Sequence, residues 1–255
     1  MTPMAGKAEQ PHDPAVSVWL APPRPPGRGT APSGLSREKI VASTLDLLDA
    51  DGLRAFSMRR LAAELEVTAM SVYWYVDNKE QLLELALDAA FGDMAVPPLE
   101  DHGDWRRHVY VMAHQYRRCF LRHPWATELI GRYLAIGPNA MLMSTSAVSA
   151  LAATGLTGDA LGGALALVFQ YTYGFALNEA QWARRITLSG AGEDELHQQL
   201  MGVLTAHDSR YAEWEKQLGH DRRGSVETSR NRQFDAGLEM AMAGIEAAIA
   251  GLGGS

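Results

Sequence analysis

This 255-residue sequence has little cysteine, and it shows no long hydrophobic run and no recognisable N-terminal signal. Because Cys119 is its one cysteine, an intramolecular disulfide is excluded, which is compatible with a reducing cytoplasm. The best candidate for a membrane span, residues 160–177, contains glutamine, tyrosine and three glycines, so we expect a buried core helix there. The N-terminal apolar run, residues 16–21, is too short for a signal peptide, and we expect a cytoplasmic protein.

Positive charge is also scarce. The chain has 23 Lys and Arg residues against 30 Asp and Glu residues, a formal net charge of −7. Residues 36–94 alone hold six basic and eleven acidic residues. Nucleic-acid-binding proteins usually show a basic surplus, so composition alone argues against DNA binding. A DNA-binding function would therefore depend on a few well-placed cations.

Catalytic and metal-binding patterns are missing as well. The sequence has no Gly-x-Ser-x-Gly, no phosphate-binding glycine loop and no His-Glu-x-x-His motif. His108 and His114 are six residues apart and fall on different faces of a helix, and His197 and His207 also lack the spacing of zinc ligands. We therefore expect no enzyme activity, no cofactor and no metal.

What the sequence does contain is helical periodicity, which predicts an all-α fold. Residues 1–35 hold eight of the twelve prolines and are expected to form a disordered tail, although Arg24 and Arg28 offer a possible contact to a DNA backbone. A helix is predicted from Ser36, with Ile40, Thr44, Leu47 and Leu48 on one face and a stop at Gly52. Further helices are expected at roughly 79–93, 104–122, 125–135, 138–153, 159–188, 193–207 and 230–250. Residues 209–229 are expected to form a loop, with a helical turn around Tyr211–Leu218 as the alternative.

The most informative stretch is Ser57–Lys79, where two short helical segments, capped by Ser57 and Thr68, are separated by a turn of three or four residues. This is the plan of a helix-turn-helix. Its expected core consists of Leu61, Leu65, Val67, Val72 and Val76. The second helix is too short to bury all its other side chains, so a contact surface is expected beside nearby cations. Its members are Ser71, Tyr73, Trp74 and Tyr75, next to Arg59, Arg60 and Lys79.

Residues 36–94 resemble the DNA-binding domain of TetR-family transcriptional regulators. The resemblance rests on Leu47–Leu53, Met58–Ala62 and Val72–Leu83, whose Tyr-Trp-x-Val-x-Asn-Lys pattern points to the branch of the tetracycline repressor. It implies an N-terminal helix-turn-helix domain over 36–94 and a larger helical ligand-binding and dimerisation domain over 95–255.

The resemblance also implies roles for individual residues. Tyr73 and Lys79 match phosphate contacts of the family, and Arg59 matches a base contact. Recognition-helix positions are occupied by Ala69, Met70, Ser71, Trp74 and Tyr75, and Arg60 and Thr68 complete the expected DNA-contacting set. Trp74 has an alternative role, in which it braces the fourth helix. Several of these side chains differ from those of the tetracycline repressor, so we expect a different operator.

The region after residue 95 offers large apolar residues with a few polar ones among them, as a small-molecule pocket requires. The resemblance implies that a magnesium-chelated tetracycline would be contacted by a histidine in the segment corresponding to about 125–135. Residues 125–133 contain no histidine, which argues against a chelated tetracycline as the ligand. For each aromatic residue the alternative is ordinary core packing. The candidate ligand-binding residues are His114, Trp125, Tyr133, Met141, Phe169, Gln170, Tyr173, Asn178 and Trp182.

Small residues are enriched in two of the predicted helices, around Gly162–Ala166 and Ala236–Ala248. They favour a four-helix dimer interface, as the family implies, although close packing within one chain is the alternative. The expected function is a homodimeric repressor that binds a pseudopalindromic DNA operator and is released by a small, largely apolar effector. An activator or dual regulator, a helical protein-binding adaptor and an all-helical enzyme are the alternatives.

Overall fold

The computed structural model describes residues 17–20, 34–97, 104–218 and 224–252. Within these ranges the regular structure is entirely helical, as predicted, and most of the expected tail lies outside them. A 3₁₀ turn spans Pro124–Glu128. The helices are α1 Arg37–Asp51, α2 Met58–Glu64, α3 Ala69–Tyr73, α4 Lys79–Phe91, α5 Trp105–Arg122, α6 Pro138–Ala152, α7 Gly158–Ser189, α8 Glu193–His207, α9 Arg210–Gln217 and α10 Val226–Leu252.

The chain divides into two compact units. Among the described residues, the first unit comprises 17–20, 34–93 and 128–141, and the second comprises 94–97, 104–127, 142–218 and 224–252. The first four residues of α6 therefore group with the first unit, whereas the rest of that helix belongs to the second.

Side-chain caps define where the helices of the first unit begin. Ser36, Ser57, Thr68 and Asn78 each accept a hydrogen bond from the backbone N–H three residues later, which confirms all four expected N-caps. Gly52 ends α1 with a φ of +76°, a conformation that a side chain would strain.

The core of the first unit lies between α1, α2, α3 and α4. The predicted face of α1 is buried at Ile40, Thr44, Leu47 and Leu48, and α1 packs against α4. Every residue from Leu82 to Asp88 is buried, so this part of α4 is covered on all sides.

The second unit is built on α5, α7 and α10. Phe234 and Leu238 of α10 have no exposed surface, and they pack with Val109 of α5 and Val168 of α7 in one hydrophobic cluster. Cys119 lies inside α5 and is 3% exposed.

Three expectations about helices are corrected. Residues 125–135 do not form a helix: after the 3₁₀ turn, Gly131 adopts a φ of +80°, which breaks the helical path. Helix α10 begins four residues earlier than predicted, whereas α9 lies where a helical turn was the alternative to a loop. The buried core helix expected at 160–177 belongs to α7, but only 22% of the most apolar window of α7 is buried within the chain. By length and composition alone α7 would also suffice to cross a membrane, a test that core helices of soluble proteins pass as well.

Candidate nucleic-acid interface and ligand cavity

The predicted helix-turn-helix is present in the first unit. Residues between α2 and α3 form a tight turn, in which Val67 N donates to Ala62 O at 2.9 Å and Glu66 adopts a φ of +56°. Leu61 and Val72 have no exposed surface, so the two helices share a fully buried contact. Thr68 caps α3 by accepting a hydrogen bond from Ser71 N at 3.2 Å.

Three predicted DNA-contacting residues lie on the surface of this motif. Met70, the second residue of α3, is 77% exposed, and Tyr73 at its end is 37% exposed. Arg59 of α2 is also exposed. These side chains provide an apolar contact, a hydroxyl and a guanidinium on the two helices of the motif. The remaining α3 positions, Ala69 and Ser71, are partly buried.

Other members of the predicted set make intramolecular contacts. The guanidinium of Arg60 pairs with Asp51 at the end of α1. Lys79 Nζ donates to Phe56 O at 3.0 Å and lies 5.5 Å from the centre of the Phe56 ring. Each of these two cations is therefore held against the protein.

The aromatic pair after α3 also turns inward. Tyr75 donates from its hydroxyl to Leu35 O at 2.7 Å, which ties the end of the motif to the residues before α1. Trp74 is partly buried and packs edge-on against Tyr75, with ring centres 5.0 Å apart.

A cavity of about 340 Å³ lies in the second unit between α7, α8 and α10. Phe175, Trp182 and Val226 form its apolar wall. Asn178, His197 and Gln233 add polar groups, and the carboxylate of Glu179 and the guanidinium of Arg230 complete the lining.

The charges beside this cavity are paired with one another. Glu179 is 4% exposed and accepts hydrogen bonds from Arg117 Nε at 2.7 Å and from Arg230 Nε at 2.8 Å. Arg230 also donates to Glu193, and Trp182 Nε1 donates to the same carboxylate at 2.8 Å. Two guanidinium groups and two carboxylates therefore balance, and the cavity wall has no surplus charge of either sign.

Arg117 extends this network into the core. Its guanidinium lies 4.5 Å from the ring centre of Phe234 and 5.3 Å from that of Phe175. It also donates to Asn231 at 2.7 Å. Arg117 thus stacks against two rings and makes two hydrogen bonds to Glu179 and one to Asn231. These contacts compensate for the removal of its charge from water.

The structure brings only some of the predicted ligand-binding residues together. Asn178 and Trp182 line the cavity. Phe169 lines a separate apolar void of about 10 Å³, which is too small for a drug-sized ligand. Gln170 is exposed on α7, and Trp125 is 3% exposed.

The other candidates occupy different surroundings. His114 Nε2 lies 3.0 Å from Asp235 Oδ1, and Tyr173 donates to Thr127 O at 3.0 Å. Tyr133 and Met141 belong to the first unit, where burial raises the pKa of Tyr133 to about 12.

Sequence reasoning missed most of the cavity. Phe175 was among the large aromatic residues expected to line a cavity, but Glu179, His197, Val226, Arg230 and Gln233 line it and were not expected. Glu179 carried a signal, because it is the one carboxylate in the interior of the apolar helix α7, whose other acidic residue, Asp159, lies in the first turn, and a buried carboxylate needs a cationic partner. The partners come from α5 and α10, which are distant in sequence.

Comparisons with known proteins agree on one family. Residues 97–249 match the family model described as "Tetracyclin repressor-like, C-terminal domain", and residues 40–86 match "Bacterial regulatory proteins, tetR family". An HTH-type transcriptional regulator of Saccharopolyspora erythraea is 38% identical over 166 residues, covering 65% of this chain and 69% of that protein.

Two further relatives come from Streptomyces. The HTH-type transcriptional repressor DrrR1 of Streptomyces coeruleorubidus is 33% identical over 171 residues, covering 66% of this chain and 63% of that protein. The crystal structure of ActR from Streptomyces coelicolor in complex with actinorhodin is similar in fold, with a TM-score of 0.69 and 28% identity. That match covers 85% of this chain and 98% of ActR.

Proposed function

Since this chain belongs to the TetR family of bacterial regulatory proteins, we propose that it is a ligand-responsive transcriptional repressor. It binds a pseudopalindromic operator as a dimer, and a small, largely apolar effector releases it. The observation that carries this proposal is the helix-turn-helix, which exposes Arg59, Met70 and Tyr73 on two helices whose Leu61 and Val72 are fully buried. DrrR1, named as a repressor, supports repression over activation.

DNA is recognised through two kinds of contact. Arg59 is suited to a guanine edge, because a guanidinium can donate to O6 and N7 together, and Met70 is suited to thymine methyl groups. Tyr73 and Lys79 bind phosphates, which position the motif without reading sequence. To bind a phosphate, the ammonium group of Lys79 must either give up its hydrogen bond to Phe56 O or donate to both oxygens at once.

The dimer forms through α7 and α10. Small and apolar residues on both helices are exposed within a single chain, including Leu167 at 45% and Met240 at 75%. Gly162 and Gly163 of α7 and Gly244 of α10 have open space where a side chain would begin, so another helix can approach closely. A symmetric pairing buries these surfaces and presents two motifs to one operator.

The effector binds in the cavity beside Trp182. An apolar wall with a few polar groups suits an aromatic molecule that carries hydroxyl or carbonyl groups. Because Glu179 and Arg230 already neutralise each other, a neutral effector is preferred over a charged one. The complex of ActR with actinorhodin supports a small-molecule effector in a protein of this fold.

The DNA proposal is tested with Arg59→Ala and Lys79→Ala in gel-shift titrations on the operator and on a scrambled duplex. Arg59→Ala should weaken operator binding by about 1–3 kcal/mol and leave scrambled DNA almost unchanged. Lys79→Ala should weaken binding to both duplexes about equally. If the two variants lose the same affinity on both duplexes, the assignment of a base contact and a phosphate contact is wrong.

The cavity is tested with Nile red, a neutral aromatic dye whose emission reports an apolar site. Asn178→Trp fills the cavity and should abolish saturable binding, whereas Trp214→Ala, on the exposed face of α9, should leave it intact. Phe169→Ala enlarges the separate void. Dye binding that survives Asn178→Trp but changes with Phe169→Ala would move the effector site to that void.

A further inference from the structure

Residues Ser17–Leu20 form a short turn that is bound to α4 in the first unit. Ser17 is 3% exposed and donates from its hydroxyl to Glu84 Oε1. Val18 N donates to Glu84 Oε2 at 2.9 Å, so both oxygens of one carboxylate are used. The turn is closed by Leu20 N, which donates to Ser17 O at 3.1 Å. Sixteen residues, 21–36, separate this turn from α1, so chain continuity alone does not place it on α4.

The surface beneath the turn contains two buried acidic residues on one face of α4. Glu84 is 2% exposed and holds the turn. Asp88, one helical turn later, is 5% exposed and caps α6, accepting from Ala140 N at 2.9 Å and from Asn139 N at 3.3 Å. One face of α4 therefore binds two backbone segments through neighbouring carboxylates.

Trp19 of the turn packs close to Gly137, the residue directly before α6. A methyl group placed on Gly137 would lie 2.7 Å from Trp19 Cζ2 and 2.3 Å from Asp88 Cγ. Neither distance is compatible with a side chain at residue 137, so the indole and the Asp88 carboxyl both pack directly on the backbone before α6. The indole thus covers the junction at which Asp88 holds the first turn of α6.

We propose that Glu84, Asp88 and Gly137 form a peptide-binding site on the first unit, and that residues 17–20 are its intramolecular ligand. The ligand class is a Ser-x-Trp turn. The serine hydroxyl and the following N–H satisfy one buried carboxylate, and the indole fits where residue 137 has no side chain. Occupancy of the site holds the first turn of α6 against α4.

The site is tested in the full-length chain by emptying it from the ligand side, which leaves α4 and α6 unaltered. The double variant Ser17→Ala/Trp19→Ala removes the hydroxyl donor and the indole. Leu20→Ala is the matched control, because Leu20 belongs to the same turn but is 62% exposed. The probe is a fluorescent synthetic peptide with the sequence of residues 14–23, and a peptide with alanine at both altered positions is its control.

Fluorescence anisotropy should show that the probe peptide binds the double variant at least tenfold more tightly than it binds the wild type or Leu20→Ala, whose sites are occupied. The alanine peptide should not bind. Circular dichroism confirms that each variant is helical before titration. A folded double variant that does not bind the probe peptide, or that binds the alanine peptide equally well, overturns the proposal.

Hydrogen exchange gives a second, independent readout. The amides of Asn139 and Ala140 should exchange at least tenfold faster in the double variant, and saturating probe peptide should restore their protection. Amides inside α10 should be unaffected, since that helix belongs to the second unit. Unchanged exchange at Asn139 and Ala140 would show that occupancy does not hold α6 and would also overturn the proposal.

Discussion

Glu179 shows how strongly a single residue can depend on its partners. Its carboxylate is almost completely buried and lies between the guanidinium groups of Arg117 and Arg230. A buried ion pair contributes little net stability compared with an apolar pair, but removal of one partner leaves an uncompensated charge. Loss of the Glu179 carboxylate should therefore destabilise the fold more than loss of either arginine, because Glu179 is the counter-charge of both.

We expect Glu179→Gln to lower the free energy of unfolding by about 3–5 kcal/mol, because it leaves Arg117 buried without its counter-charge. Urea unfolding followed by circular dichroism measures the change. Glu246→Gln is the matched control: Glu246 also pairs with an arginine, Arg106, but it is 61% exposed, and the expected loss is about 0.2–1 kcal/mol. Equal losses in the two variants would contradict this account.

At the scale of residues, the sequence predicted local chemistry better than long-range contacts. The caps at Ser36 and Asn78 were predictable because a capping side chain and its partner are three residues apart. The contact of Arg60 with Asp51 and that of Tyr75 with Leu35 join separate elements, and neither contact leaves a local pattern. Neither contact could therefore be predicted, and the role of both side chains at DNA stays a prediction.

At the scale of elements, the stability of the short helix α3 depends strongly on how its ends are capped. It has five residues and buries only Val72, so it gains little from helical propagation. Its hydrogen-bonded cap at Thr68 fixes the direction of the helix that carries Met70 and Tyr73.

Thr68→Ala should therefore destabilise the protein by about 1 kcal/mol, the usual effect of losing an N-cap. It should also weaken operator binding, because α3 frays from its first residue. Thr68→Ser keeps the hydroxyl and serves as the control, with stability and affinity close to wild type. Thermal unfolding and gel shifts measure the two effects; a serine variant as impaired as the alanine variant would show that the methyl group, not the cap, is important.

Element boundaries were predictable where stop and start signals are local. Helix α8 spans 193–207, the bounds that were predicted, with three acidic residues in its first turn and Gly192 before it. The segment 125–135 has helical composition, yet Gly131 takes a positive φ there. The hydrogen bond from Tyr173 to Thr127 helps to hold the preceding turn, and a contact over 46 positions was not visible in the sequence.

At the scale of the whole molecule, charge placement matters more than net charge. The segment 36–94 has a net charge of −5 and yet contains the helix-turn-helix. Weak attraction to DNA in general follows, since non-specific binding comes mainly from released counterions.

The salt dependence of operator binding should reflect this small number of cationic contacts. Lys79→Ala removes one phosphate contact from each half of a dimer, so the slope of log K against log salt should become shallower by about 2. Met70→Ala is the control, because it changes operator affinity and leaves the slope unaltered. Fluorescence anisotropy measures the operator affinity of both variants at salt concentrations between about 50 and 200 mM, a range in which affinities of this kind change strongly. An unchanged slope for Lys79→Ala would exclude it as a phosphate contact.

The burial of Cys119 inside α5 has a practical consequence for spectroscopy. Thiol-reactive dyes need solvent access, so the native cysteine is shielded from them. A cysteine introduced at an exposed position such as Leu20 or Met70 can therefore be labelled selectively in the folded protein without first removing Cys119. Each chain would then carry one reporter, either on the N-terminal turn or on the DNA-recognition helix.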